Sequence, residues 1–465
     1  MTALVGWAFW QRCVLLFADP YPVGIDGYFY AVQLRSLVES GQLYYSGSPV
    51  VYWLMAPFAL VSDPIVGTKL AAAAGGALLA LPVYFLGRRL SNDRAIGLLA
   101  ATLAVASSQS LYLSAEFIKN GIGLTMMATF LCALYWMLDR PSRLRIGVAA
   151  GLFTLTLLSH KMAGALAFMW SAPMLYIRAS AKQRIALIVS AALIGVGALA
   201  LLGNPLRTTA DLSLPVLDTR WGAPLRFGNE MVIAAVLAMA CVVLCIRPIA
   251  ATKRRALIIG PAVFVLLVAC PWLDIADEQG VGFRLRVVAF LPLALLAAWL
   301  AGHATRLLSP YLRGVFIVGF AAGWIVSRPV GDVREGVVRT HPAMQLAARA
   351  VEHRVPTDGV VIVPSRQTMF MVTWYTRIPA RLRPEPVPEN RRWRLLTFPL
   401  IDSSKPLQRA LRRARIRAPG HVPPPIGLHP GGADGLVLVP EVTWQWLLAR
   451  LPDKDQRRFR KWPTY

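Results

Sequence analysis

Apolar runs long enough to cross a bilayer recur from the first residue to about residue 327, and this repetition decides what the chain can become. About 20 apolar residues cross ~30 Å of hydrocarbon as a helix, and shorter runs cross with help from neighbours. The runs are 1–17, 65–86, 95–113, 118–138, 146–159, 162–177, 185–203, 230–246, 256–272, 287–302 and 314–327, with the fifth and sixth meeting at His160-Lys161. A further run, 49–61, is too short, and Pro49 and Pro57 suit it to a membrane-surface or re-entrant piece. With 56% hydrophobic and 16% charged residues and a mean hydropathy of +0.52, the chain is excluded from the ordinary soluble class. It reads as a multispanning membrane protein, its first run a transmembrane helix rather than a cleavable signal.

A net charge of +25 invites a nucleic-acid partner, but topology explains its distribution better. Loops on one side carry Arg88, Arg89 and Arg94, then Arg140, Arg143 and Arg145, then Arg178, Lys182 and Arg184, then Arg247 and Lys253-Arg254-Arg255, then Arg306 and Arg313. These loops are expected on the cytoplasmic side. The alternate loops hold Asp19, Asp26, Glu39, Asp63, Glu116, Asp211, Asp218, Glu230, Asp274, Asp277 and Glu278, and face outward together with everything after residue 328. The five cysteines, Cys13, Cys132, Cys241, Cys245 and Cys270, all lie in apolar runs, which indicates neither disulfides nor zinc.

Two domains follow: a transmembrane domain over 1–328 with a first outer loop at 18–64, and an extracytoplasmic domain over 329–465. In the second, a helix at 341–354 leads through Pro356-Thr357-Asp358-Gly359 to the strand Val360–Val363. Arg394–Phe398 and Gly435–Val439 are further strands, and 441–450 a helix, so a small α/β domain is expected. Arg409, Arg412, Arg413, Arg415 and Arg417 form a basic run there, read as a solvated face or as a contact for anionic headgroups or an acidic glycan.

The stretch Tyr21–Tyr30 places Asp26 and several aromatics directly after the first span. Beyond it Tyr30, Leu34, Leu37 and Val38 share one helical face and Gln33, Ser36 and Ser40 another, ending at Gly41; this predicts a short amphipathic helix along the bilayer. Asp26 is either merely its N-cap or a functional acid. Almost no span carries a charge at its centre, whereas outward ends do: Glu116 and Lys119 between the third and fourth spans, His160 and Lys161 between the fifth and sixth, Arg284 and Arg286 before the tenth. Each has a structural explanation in snorkelling or helix-end pairing. As a set they supply what glycosyl transfer from a lipid phosphate needs, a carboxylate to take a proton and cations to hold the departing phosphate.

On these residues the chain resembles the GT-C superfamily of membrane glycosyltransferases, which includes protein O-mannosyltransferases, oligosaccharyltransferase catalytic subunits and aminoarabinose transferases. The resemblance is carried by Asp26-Gly27-Tyr28-Phe29-Tyr30, Ser48-Pro49-Val50-Val51-Tyr52-Trp53, Glu116 and Leu158-Ser159-His160-Lys161. The eleven runs predict about 11 transmembrane helices in a GT-C-like arrangement, and the resemblance implies Asp26 in a catalytic first outer loop, a polyprenyl-phosphate or polyprenyl-diphosphate sugar donor and an extracytoplasmic soluble domain after the last span. Two departures are visible: no second acid follows Glu116, and Trp374-Tyr375-Thr376 is not the WWD acceptor motif of oligosaccharyltransferases.

The expected function is therefore inverting sugar transfer on the outer face of a cytoplasmic (inner) membrane, to a protein, lipid or glycan acceptor. Asp26 is the expected general base, with Glu116 the second catalytic acid. Lys119, His160, Lys161, Arg284 and Arg286 are expected around the donor phosphate, and Tyr28, Tyr30 and Tyr52 line the substrate. A divalent metal, Mg or Mn, is compatible with Glu116 and His160. The alternatives are a transporter or flippase of lipid-linked glycan and a non-catalytic envelope scaffold.

Overall fold

The computed structural model describes residues 1–24, 26–178, 236–241, 243–244, 261–262, 287–327, 333, 351, 354–363, 365–382, 388, 391–396, 405–417, 425–427 and 437–460. The expected span 185–203, most of 256–272, most of the helix 341–354, and both Arg284 and Arg286 lie outside these residues. The chain divides into two compact units, one of residues 1–17, 47–54 and 70–336 and one of 18–46, 55–69 and 337–465.

In the first unit, apolar sequence becomes helix as expected. Helix α1 spans Thr2–Leu16, and α2 (Gly27–Ser40) belongs to the second unit. There follow α3 (Val50–Leu60) and α4 (Pro64–Leu78), each divided between the two units, and then α5 (Ala80–Ser91), α6 (Arg94–Val105), α7 (Ser108–Glu116), α8 (Ile118–Asp139), α9 (Arg143–Ser159) and α10 (Lys161–Arg178). Phe290–Ala304 forms α11 and Pro310–Val326 forms α12. Among the described residues, Pro64–Ser91 and Ile118–Asp139 are long and apolar enough to cross a membrane unaided.

The run 95–113 was expected to form one span. It is broken instead: α6 and α7 meet at Ala106-Ser107 with a bend of 48°. Ser107 restarts the helix, its Oγ accepting from the Ser110 N–H, so the bend is a capped break.

Helix α11 is buried on nearly every side, as an all-apolar helix inside a bundle must be. On α12, in contrast, Val315, Phe316, Val318 and Phe320 are exposed and Ile317 is buried, a distribution suited to lipid. Helices α5 and α6 approach closely because Gly87 faces Ala100, where an added Cβ would stand 2.7 Å from the Ala100 Cβ. Basic residues near helix ends find acids here: Arg313 pairs with Asp93 and Arg89 with Asp139.

The second unit carries a five-stranded sheet. Strands β1 (Val360–Ile362), β2 (Ala380–Arg381) and β3 (Arg392–Leu396) run parallel in the order β2-β1-β3. Then β5 (Val437–Pro440) pairs antiparallel with both β3 and β4 (Ile426–Gly427). Helices α13 (Arg366–Thr376), α14 (Lys405–Arg417), α15 (Glu441–Leu448) and α16 (Asp453–Arg460) complete it. The basic run is thus helical. Between sheet and helix, Arg394 and Glu441 form a buried two-point ion pair, Nε to Oε2 at 2.6 Å and Nη2 to Oε1 at 3.0 Å.

Candidate active site

Asp26 stands at the N-cap of α2, half-buried, yet its side chain makes no capping hydrogen bond to the helix. The approach to it is tight. Gly24 takes a φ of +85°, and a Cβ on Gly27 would come within 2.9 Å of the Pro22 Cβ, so both glycines hold the turn that carries the acid.

The helix after Asp26 differs from the expected surface helix. Gln33, assigned to the polar face, is fully buried, and Val38, assigned to the apolar one, is exposed. The reason is the partner: α2 packs against α13 of the same unit, and the core between them takes Tyr28 with Phe370, Met371 and Val372. The Gln33 amide satisfies both polar groups of one peptide position, donating to the Tyr45 O at 2.9 Å and accepting from the Tyr45 N–H at 2.8 Å. A buried amide so paired holds the returning chain against the helix.

Four further bonds join this loop to α13. The Tyr28 and Tyr375 hydroxyls lie 3.0 Å apart, and the Tyr45 hydroxyl donates to Thr373 Oγ1 at 3.1 Å. The Arg35 guanidinium donates to the Trp374 O at 2.6 Å and the Thr373 O at 3.0 Å, capping the acceptor end of α13, and lies 4.5 Å over the Trp374 ring. Burial pulls the Arg35 pKa down and pushes the Tyr45 phenol up to about 12. Trp374-Tyr375-Thr376 thus forms the C-terminal end of the helix that receives the loop.

The remaining described candidates belong to the first unit. Glu116 is the last residue of α7 and is buried; Phe117 interrupts the helix; Lys119 lies in the first turn of α8. Lys119 Nζ stands 5.0 Å from the centre of the buried Tyr52 ring. Beside Tyr52, the Ser48 hydroxyl donates to the Leu158 carbonyl, which ties segment 47–54 to the end of α9. His160 ends α9 in an extended conformation and Lys161, exposed, begins α10. Gly123 on α8 lets this corner close, since a Cβ there would lie 3.0 Å from the Cβ atoms of His160 and Ala163. Tyr52, Lys119 and the corner ending at His160 therefore gather around one end of α8. Asp26, Tyr28 and Tyr30 belong to the other unit.

A buried charge in the first span escaped the sequence reading. Arg12 lies inside the first apolar run, fully buried, although span centres were expected to lack charge. Its guanidinium donates to the Ala8 O (3.0 Å), the Val105 O (3.1 Å), Ser110 Oγ (2.7 Å) and Ser114 Oγ (3.1 Å). Val105 and Ser110 flank the break between α6 and α7, so the cation supplies donors where the helix ladder is interrupted. The adjacent polar pair Gln11-Arg12 was the available signal. Among the described residues, no three His, Cys, Asp or Glu side chains come together as a metal site would require.

A comparison with solved structures finds ArnT from Cupriavidus metallidurans, in a crystal structure bound to undecaprenyl phosphate. The TM-score is 0.57 at 15% identity, over 95% of this chain and 97% of that one. The chain has a GT-C fold. No protein-family model and no curated protein sequence matches it. The apolar helices support a membrane protein.

Proposed function

We propose that the chain is an inverting glycosyltransferase that takes its sugar from a polyprenyl-phosphate donor on the extracytoplasmic side of the inner membrane, with about 11 spans and the α/β domain outside. The observation that carries this reading is fold likeness along nearly the whole chain to ArnT bound to undecaprenyl phosphate. The local chemistry supports it: Asp26 precedes α2 without serving as its side-chain cap, and Lys119, Tyr52 and His160 gather in the other unit.

In the proposed reaction an acceptor hydroxyl oxygen attacks the anomeric carbon while the bond from that carbon to the phosphate oxygen breaks. The hydroxyl proton passes to the Asp26 carboxylate, and polyprenyl phosphate leaves with the bonding electron pair. Lys119, Lys161, Arg284 and Arg286 stabilise the charge that gathers on the phosphate, with Glu116 and His160 orienting substrate and Tyr28, Tyr30 and Tyr52 lining its path. The acceptor is a protein, lipid or glycan hydroxyl.

The test uses purified protein in lipid, a panel of polyprenyl-phosphate sugars, and release of polyprenyl phosphate as readout. Release by the wild type that Asp26→Asn abolishes, in a protein that stays folded, is expected; full activity of the variant removes Asp26 as the base. A second reading, transport of a lipid-linked glycan, draws on the broken α6–α7 helix. It requires a labelled lipid to change leaflet without release of polyprenyl phosphate.

A further inference from the structure

Helix α14 presents a surface that the proposed chemistry leaves unused. Its inner side is settled by packing: Leu407, Leu411 and Ala414 are buried in a core with Val437, Val439, Trp444 and Phe459. On its outer side Lys405, Arg409 and Arg413 follow one another at i, i+4 and i+8, all exposed. Like charges one turn apart repel and weaken a helix. No acid within the helix offsets them, because Lys405–Arg417 contains no Asp or Glu. Among the described residues none of the three cations is in an ion pair, in contrast to Arg89, Arg313 and Arg377, each paired with an acid.

We propose that this face of α14 docks on the anionic phospholipid headgroups of the bilayer in which the chain is embedded. Guanidinium groups match phosphate in charge and hydrogen-bonding geometry, and basic residues near an anionic leaflet are drawn to it within a Debye length. The bilayer is favoured over a soluble polyanion because the spans of the same chain hold it close at high effective concentration. The inner side of the helix is occupied by its own core, so α14 does not insert. The contact is electrostatic and salt-sensitive, and it stands apart from the transferase reading.

The experiment places the full chain in nanodiscs of phosphatidylcholine, alone or with a third replaced by phosphatidylglycerol, and follows backbone hydrogen exchange over 405–417. Phosphatidylglycerol is expected to slow that exchange roughly tenfold at low salt. High salt and the triple variant Lys405→Gln/Arg409→Gln/Arg413→Gln remove the slowing, and Arg409→Lys/Arg413→Lys keeps it. Exchange in α13 reports in the same spectra that each variant is folded. Equal exchange in the two lipids, or slowing that survives in the triple variant, overturns the proposal. Equal slowing by a soluble polyanion such as polyphosphate over phosphatidylcholine also overturns it, in favour of a soluble partner.

Discussion

Tyr28 and Tyr375 are 347 residues apart in sequence and meet hydroxyl to hydroxyl at 3.0 Å. Tyr28 follows Asp26 by two positions, and Tyr375 lies in the last turn of α13. The loop that carries the proposed base is thereby bonded to the C-terminal part of the chain.

That bond predicts a coupled pair. Tyr28→Phe and Tyr375→Phe each lose the same hydrogen bond, worth about 1 kcal/mol, so the double variant is expected to cost less than the sum of the singles. Thermal unfolding and hydrogen exchange over 26–45 in the four proteins measure the coupling. Strict additivity would show that the two hydroxyls act independently.

Tyr45 predicts an alkaline limit for the same attachment. Its phenol is raised from 10.0 to about 12, chiefly by burial, with the Thr373 hydrogen bond acting in the opposite direction. A pKa raised in the folded state means that the contribution is complete below pH 10 and lost as the pH climbs through about 12. The tyrosinate absorbance of wild type minus Tyr45→Phe should titrate in that upper range. Titration at the ordinary tyrosine value would place Tyr45 in solvent.

Arg12 predicts a stability defect with no simple conservative rescue. Arg12→Met strips donors from four acceptors, two of which flank the α6–α7 break, and should cost on the order of 2–3 kcal/mol. Arg12→Lys keeps the charge but not the planar fork, and should recover only part. Gly76→Ala should perturb the same clasp, because its Cβ would lie 2.6 Å from Ser114 Oγ and closer still to Arg12 Nε. Thermal unfolding in detergent ranks the three; a fully stable Arg12→Met would remove the clasp from the fold's support.

Lys119 predicts a binding defect if it meets the donor phosphate. Lys119→Met should raise the KM for a polyprenyl-phosphate sugar by roughly tenfold or more, and Lys119→Arg should retain much of the affinity. Steady-state kinetics over a donor series decide it. An unchanged KM with full turnover in Lys119→Met would take Lys119 out of the phosphate site.

Hydrophobic patterning determined much of the fold, because burial of long apolar runs is a local property of sequence. The helices at 118–138 and 287–302, the strand at Val360–Val363 and the helix after Asp26 were all legible on that basis. Candidate acids and cations were legible as chemistry at span ends, whereas their mutual placement was not. Only tertiary structure put Gln33 inside and Val38 outside, because α13 covers a side of α2 that the pattern assigned to solvent. Tertiary structure also broke 95–113 at Ala106-Ser107 and buried Arg12 against the break, since three of the four acceptors that make a buried cation tolerable come from residues 93 to 102 positions away. A sequence states which groups need partners; the partners themselves depend on contacts between segments remote in the chain.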